Sequence, residues 1–272
     1  PRPAAAQAED RPAPATRQLF HWRGSRQPEA AVVVTLYNYA DRILEALTSV
    51  SAQRQQQLEL IVVDDASTDG GEGLVLAWMQ HQSIAEGHPF SSLQLWRHES
   101  NTGLAAARNT AFSKSQAEWC FVLDADNLLS PEAVSACLAL AEGGPQELAV
   151  VHPIITVAAE PGMVTDQRSL VAGASWQRDV LKRGNAVDAM ALVRRRAWEA
   201  VGGYTHIEGG WEDYDFWCKL IEHGWHGLQC PRVLAQYRSH PASMSATVTN
   251  TMWPQLRRTL QQRHPWLELE ES

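Results

Sequence analysis

Between Ala30 and Gly144 the chain alternates apolar runs with amphipathic stretches of helical period, and no other feature restricts its fold as strongly. "AAVVVTLY" and "LELIVVDD" are apolar at nearly every position and read as buried strands, while "LQLWRH" and "EWCFVLDAD" supply a third and a fourth. Helical patterns follow each of them. "ADRILEALTSVSAQ" has Asp41 as a cap and Ile43, Leu47 and Val50 on one face. "GEGLVLAWMQH" and "GLAAARNTAFSKS" come next. "SPEAVSACLALAEGG" has Ser130 as a cap, Pro131 at the first helical position, and Gly143 and Gly144 at the exit. Four strand-then-helix units in about 115 residues predict parallel strands joined by right-handed crossovers, a doubly wound α/β half.

The flanks are patterned differently. Residues 1–28, "PRPAAAQAEDRPAPATRQLFHWRGSRQP", have no apolar period and read as a linker or tail, pinned by the cluster Leu19, Phe20 and Trp22. Beyond about residue 145 the alternation loosens. "LAVVHPIITV" is strand-like, 158–188 is mixed and loop-rich, and "DAMALVRRRAWEAVGGY" reads as a strand and a short helix. "GGWEDYDFWCKLIEHG" has a helical period, "RVLAQYR" is a strand, and "TNTMWPQLRRTLQQRH" is helical with Pro254 near its first turn. One α/β domain is therefore expected over 29–245, with halves 29–145 and 146–245 sharing a sheet, and a C-terminal helical extension at 246–272.

A formal charge of −8 and a pI near 5.7 leave no basic stripe for a phosphate backbone, so nucleic acid is excluded as a partner. Cys120, Cys137, Cys218 and Cys230 are scattered without a C-x-x-C pair and read as buried thiols in a reducing compartment. No apolar run reaches the roughly 18 residues of a membrane span, and no signal pattern opens the chain. The expected location is cytoplasmic, with peripheral membrane association compatible. Because the chain begins at Pro1, it is read as a processed product or a piece of a longer, multidomain protein.

Ligands of open α/β sheets bind beyond the carboxyl ends of the strands, and two strands here end in acids: Asp64 and Asp65, then Asp124 and Asp126. In extended chain, residues i and i+2 point the same way, so Asp124 and Asp126 can face one ion. A second D-x-D, "DYD" at 213–215, lies in a helical pattern where residues two apart diverge by roughly 200°. Oxygen ligands suit Mg2+ or Mn2+, which bind through one or two carboxylates and substrate phosphates. A dinucleotide fold does not account for these strands, because "TLYNYAD" stands where its glycine turn belongs and "GGEGLVL" comes late and lacks the third glycine.

"VVVTLYN", "LELIVVDDASTDG", "SNTGLAAARNTA", "FVLDADNLLSP", "GGWEDYDFW" and "YRSHPASMS" occur in an order and spacing that resemble the family 2 glycosyltransferases of the GT-A fold, over about residues 30–245. The resemblance implies a nucleotide-binding N-terminal half and an acceptor-binding C-terminal half. It places Thr35, Tyr37 and Asn38 at the donor nucleotide, Tyr37 against the nucleobase, with core packing as the alternative for that ring. Asp65 would accept the ring N–H of the base and Asp64 support its turn. Arg108 would face the nucleotide or its phosphates, the alternative being a solvated helix arginine. Asp124 would approach ribose and metal, Asp126 would ligate the metal, and His240 would touch metal or phosphate. Asp213 matches the family's catalytic base, Glu212 supports it at the acceptor, and Asp215 is structural. Trp211 would stack on an acceptor sugar or serve as a rim tryptophan.

The resemblance implies a Mn2+- or Mg2+-dependent, inverting transfer from a nucleoside-diphosphate sugar, a UDP-sugar first among them, to a glycan or other hydroxyl acceptor in glycan or polysaccharide assembly. "QLRRT" at 255–259 falls short of the Q-x-x-R-W of processive synthases. The second reading is an inactive nucleotide-sugar-binding module of a larger protein. A sugar nucleotidyltransferase ranks last for want of a glycine-rich loop after the first strand.

Overall fold

The computed structural model describes residues 8–9, 13–159, 170–171, 175–241 and 243–270. Parts of the 1–28 and 158–188 segments, Ala242 of "YRSHPASMS", and 271–272 of the C-terminal extension lie outside the described residues. In chain order the first half contains β1 (Ala8–Glu9), β2 (Thr16–Arg23), β3 (Ala30–Leu36), α1 (Ile43–Ser51), β4 (Leu58–Asp64), α2 (Gly71–Ile84), β5 (Phe90–His98), α3 (Leu104–Lys114), β6 (Trp119–Asp124), β7 (Leu128–Leu129) and α4 (Ala133–Glu142). The second contains β8 (Leu148–Ala159), β9 (Leu170–Val171), α5 (Arg178–Leu181), β10 (Leu192–Arg194), α6 (Arg195–Ala200), β11 (His206–Ile207), α7 (Glu212–Glu222), β12 (His226–Ser239), a π-helical turn (Ser245–Thr249) and α8 (Trp253–Arg263).

Ten of these strands form one sheet in the order β2-β5-β4-β3-β6-β10-β8-β12-β7, with β9 beside β8. β5, β4, β3 and β6 are mutually parallel, and β8 runs parallel to β12. These four pairings hold most of the paired residues, while β10 inserts antiparallel between β6 and β8 and fuses the two halves. Alternation along β3 shows why its run is continuously apolar. Ala30, Val32, Val34 and Leu36 pack under α1, α2 and α4, whereas Ala31 and Val33 face a second core with Phe112 of α3 and Phe216 of α7. The chain steps from β3 outward to β4 and β5, then returns through α3 to β6 on the other side of β3. That reversal opens a crevice at the carboxyl ends of β3 and β6, where Thr35 and Asp124 are register partners.

Some expectations need correction. Thr16–Arg23, read as linker, is an edge strand antiparallel to β5, because the Leu19, Phe20 and Trp22 cluster packs on the first core. α1 begins at Ile43 and makes no side-chain cap; Asp41 instead pairs with Arg42 at 3.4 Å. α4 begins at Ala133 without a cap from Ser130, whose carbonyl accepts from Ala133 N. The extension after 245 opens with the π-helical turn rather than an α-helix, and α8 carries Pro in its first turn. All four cysteines are buried free thiols.

Candidate active site

The site begins with the loops that leave the sheet. β4 ends in Asp64, which is fully buried, accepts from Ser67 N and pairs with Arg97, so it supports the turn. Asp65 faces the β5–α3 loop. Its Oδ1 accepts from Thr102 N at 2.9 Å and lies 2.7 Å from His98 Nδ1; its Oδ2 accepts from Gly103 N at 2.8 Å at the head of α3. A carboxylate has about four lone-pair sites, so one direction on Oδ2 stays open. Gly103 has φ 91° and ψ 164°, a conformation that only glycine adopts readily, which explains "NTG" before the helix. Asn38, in the left-handed region at φ 56°, accepts from Thr68 N at 2.8 Å and so ties the β3 exit to the β4 exit. Tyr37 beside it is 46% exposed, which removes the core-packing alternative for its ring.

α3 delivers Arg108 to the interior, where it is 1% exposed. Nη2 donates to Asp124 Oδ1 at 3.0 Å and Oδ2 at 3.2 Å, while Nη1 donates to Glu212 Oε1 at 2.6 Å. Burial works against its charge, yet the attraction of Asp124 and Glu212 wins and holds the guanidinium firmly protonated. The solvated-helix alternative for Arg108 is therefore wrong. Thr35 Oγ1 completes the ring by donating to Asp124 at 3.2 Å.

Asp126 turns inward beyond the end of β6. Its Oδ2 lies 3.1 Å from Nε2 of His240, which is 1% exposed and has no partner for Nδ1 among the described residues. The ring of Tyr39 meets that imidazole edge-on at 5.6 Å. Burial raises the Asp126 carboxyl, the charge of Asp124 adds to this, and His240 opposes it. Arg238 donates to the Asp126 carbonyl, and Asn127 Oδ1 accepts from Arg238 N at 2.9 Å, so β12 fixes the acid turn. Among the described residues no group of three His, Cys, Asp or Glu is gathered to hold an ion alone. Two neighbouring carboxylates and a buried histidine with an unpartnered nitrogen fit an ion whose remaining ligands come from a phosphate.

At the α7 end of the Arg108 bridge, Trp211 precedes the helix at φ 64° and ψ 21°, braced edge-on by Tyr214 at 5.9 Å and Trp253 at 5.7 Å. Asp213 follows at the helix N-terminus. Tyr214 N donates to its Oδ1 at 2.7 Å and Asn185 Nδ2 to its Oδ2 at 2.9 Å. Burial and then the charge of Glu212 push the Asp213 carboxyl up to about 7, against Arg108 and Asn185. Asp215 faces away into a buried cluster with Arg263 and His264 and is structural. Arg108 thus joins Asp124 at the end of β6 to the start of α7, and Thr35, Asp124, Asp126, His240, Glu212 and Asp213 gather around this bridge. Tyr37, Asn38 and Asp65 border it through the β3 and β4 exits.

Sequence reasoning missed Asn185, Asp188, Tyr39 and Arg238. Arg238 stood inside "YRSHPASMS", two residues before His240, so a signal existed. Asn185 and Asp188 lie in a stretch without a motif.

The family description "Glycosyl transferase family 2" matches residues 31–202. An uncharacterized glycosyltransferase of Haemophilus influenzae is 23% identical over 237 residues, covering 81% of this chain and 72% of that protein. Among solved structures, S. aureus TarS 1–349 in complex with UDP-GlcNAc superposes with a TM-score of 0.62 at 18% identity, covering 80% of this chain and 61% of that one. The mannosyltransferase PcManGT of Pyrobaculum calidifontis, in complex with GDP-Man and Mn2+, gives 0.60 at 21% identity, covering 90% and 71%. Both neighbours are glycosyltransferases of the GT-A fold, and this chain shares that fold.

Proposed function

The chain belongs to glycosyl transferase family 2, and from that premise we propose that it moves a sugar from a nucleoside-diphosphate donor to a hydroxyl acceptor with inversion at the anomeric carbon. The observation that carries this reading is the Arg108 bridge, which joins Asp124 at the β6 end to Glu212, the neighbour of Asp213, at the start of α7. The neighbours crystallised with UDP-GlcNAc and with GDP-Man and Mn2+ support a nucleotide sugar as donor, a UDP-sugar first among the candidates. A glycan or other polyol is the acceptor class, and the chain is read as part of a longer protein. Among the described residues no helix is long and apolar enough to cross a membrane. We read the working location as cytoplasmic.

In this reading Tyr37 lies along the nucleobase, Asp65 offers its open Oδ2 direction to a base N–H, and Thr35 and Asn38 shape the floor. Asp124 and Asp126, with His240, would hold Mn2+ or Mg2+; when bound, the ion stabilises negative charge on the departing diphosphate. Arg108 orients Asp124 through both carboxylate oxygens. On the opposite side, Asp213 takes the proton of the attacking hydroxyl, held in aim by Asn185 and Tyr214 N. Glu212 raises the basicity of Asp213 by its charge, and Trp211 offers a platform for the acceptor sugar. One base and no enzyme nucleophile imply single displacement.

The test is release of nucleoside diphosphate from UDP- and GDP-sugars with Mn2+, comparing wild type with Asp126→Ala. The expected result is turnover in the wild type that the variant loses. Equal release by both would remove Asp126 from the site. Nucleotide binding without turnover in either would favour the inactive binding module.

A further inference from the structure

Asp188 is an acid near Asp124, Asp126 and Arg108 that neither the motifs nor the proposed mechanism uses. β10 runs antiparallel to β6 with Leu192 opposite Phe121, and Val122 N donates to Ala191 O at 3.0 Å. The pairing ends at Leu192 and the chain bends before it, bringing Asp188 near enough to Asp124, Arg108 and Asp126 for their charges to act on it. Three residues earlier, Asn185 Nδ2 donates to Asp213 at 2.9 Å. The segment 185–190 therefore runs from beside the strand-end acids to the base, with Asp188 on the acid side and Asn185 at Asp213.

Its carboxylate is held but not neutralised. Oδ1 accepts from Met190 N at 2.8 Å, which fixes the orientation of the group. Among the described residues no Lys, Arg or His forms an ion pair with it. Burial and then the charges of Asp124 and Asp126 raise it to about 6, against Arg108. Crowding a partly desolvated carboxylate among other acids costs free energy unless a ligand brings donors. In the proposed displacement the migrating sugar must lie between the departing diphosphate and Asp213, the span that this segment covers. A pyranose there presents hydroxyls, which are donors.

We propose that Asp188 recognises the sugar being transferred, accepting hydrogen bonds from its ring hydroxyls, with two adjacent hydroxyls matching the two carboxylate oxygens. The assignment rests on the donor reading above and deepens it: Asp188 selects the sugar, whereas the strand-end acids hold the diphosphate. Affinity for a bare nucleoside diphosphate is then independent of Asp188.

Calorimetric titration of wild type, Asp188→Asn and Asp188→Ala with Mn2+ present tests this, using UDP against UDP-N-acetylglucosamine and GDP against GDP-mannose. For the pair that the wild type binds, Asp188→Ala should leave the nucleoside diphosphate within about twofold and weaken the nucleotide sugar at least about tenfold, the scale of one to two charge-assisted hydrogen bonds. Asp188→Asn keeps the shape and one acceptor oxygen and should lose less. Equal weakening of both ligands would make Asp188 a metal ligand or scaffold residue and overturn the proposal, as would no change in either. A wild type that binds none of the four probes refutes the donor reading underneath, a failure distinct from the other two.

Discussion

Arg108 Nη1 lies 2.6 Å from Glu212 Oε1 while Nη2 of the same guanidinium lies 3.0 Å from Asp124 Oδ1, so one buried cation joins the end of β6 to the start of α7. Removing it leaves Asp124 and Glu212 facing each other without a counter-charge. Arg108→Met is expected to destabilise the fold by about 3–5 kcal/mol, the range for breaking a buried ionic pair at one partner. Arg108→Lys keeps the charge but lacks the planar fork that serves both acids, so it should fall between. Urea midpoints measure both; an unchanged midpoint in Arg108→Met would show that the bridge carries no stability.

The position of the Asp213 carboxyl near 7 sets a pH dependence. The base works deprotonated, so kcat/KM should rise with pH up to about 7 and then level off. Asn185 donates to the charged form, and its loss in Asn185→Ala should move the rising limb to higher pH. Asp213→Asn should abolish the limb and lower turnover at least about a hundredfold while retaining donor affinity. Near-normal turnover by Asp213→Asn would exclude it as the base. For stability the sign is opposite to a paired carboxylate. A folded position raised above the unfolded 3.8 means that the native state binds the extra proton between about 4 and 7, so stability falls as pH rises through that window.

How much of this was legible follows from where each interaction is encoded. β3, β4 and β6 are buried on both faces by helices that adjoin them in sequence, so their apolar runs announced them locally. β2 did not announce itself, since its flanks are Pro- and Arg-rich and its partner β5 lies far downstream. The insertion of β10 beside β6 was equally hidden in three residues without a turn signal. The same distinction holds at the site. Asp124 closes β6 and Asp126 lies in the turn directly after it, so both are set by local sequence, whereas Asp188 and Asn185 reach the site only through the segment that precedes β10. The motif pointed Arg108 toward the nucleotide, but periodicity could not foresee that α3 is covered on that side and that Arg108 is buried between two acids.

Asp215 makes the C-terminal helix part of the catalytic half. Fully buried, it takes hydrogen bonds from His264 and Arg263 around α8 and pairs with Lys219 at 3.6 Å. Burial alone would raise its carboxyl, but these three partners hold it down at about 2. A folded position below the unfolded 3.8 contributes stability that is present above about pH 4 and lost as pH falls through 2, on the order of 2 kcal/mol. Asp215→Asn should therefore lower the urea midpoint at pH 7 and flatten the acid limb of a stability profile. Parallel profiles for the two proteins would show that the cluster carries none of the acid sensitivity.

The edge strand β2 supplies the last prediction. Phe20 and Trp22 pack against the first core, and Trp22 meets His88 edge-on at 5.2 Å. Because Phe20 is only half-buried, Phe20→Ala should cost less than the 3–5 kcal/mol of a core phenylalanine, about 1–2 kcal/mol. Deleting the chain through Arg23 does more, since it strips the antiparallel partner from β5 and leaves that strand's backbone donors and acceptors open. The shortened protein should show a lower urea midpoint and concentration-dependent association by light scattering, while its nucleotide affinity stays within a few-fold because the crevice lies at β3 and β6, on the far side of β4 from β5. A deletion that changes neither midpoint nor association would return Thr16–Arg23 to the status of a linker.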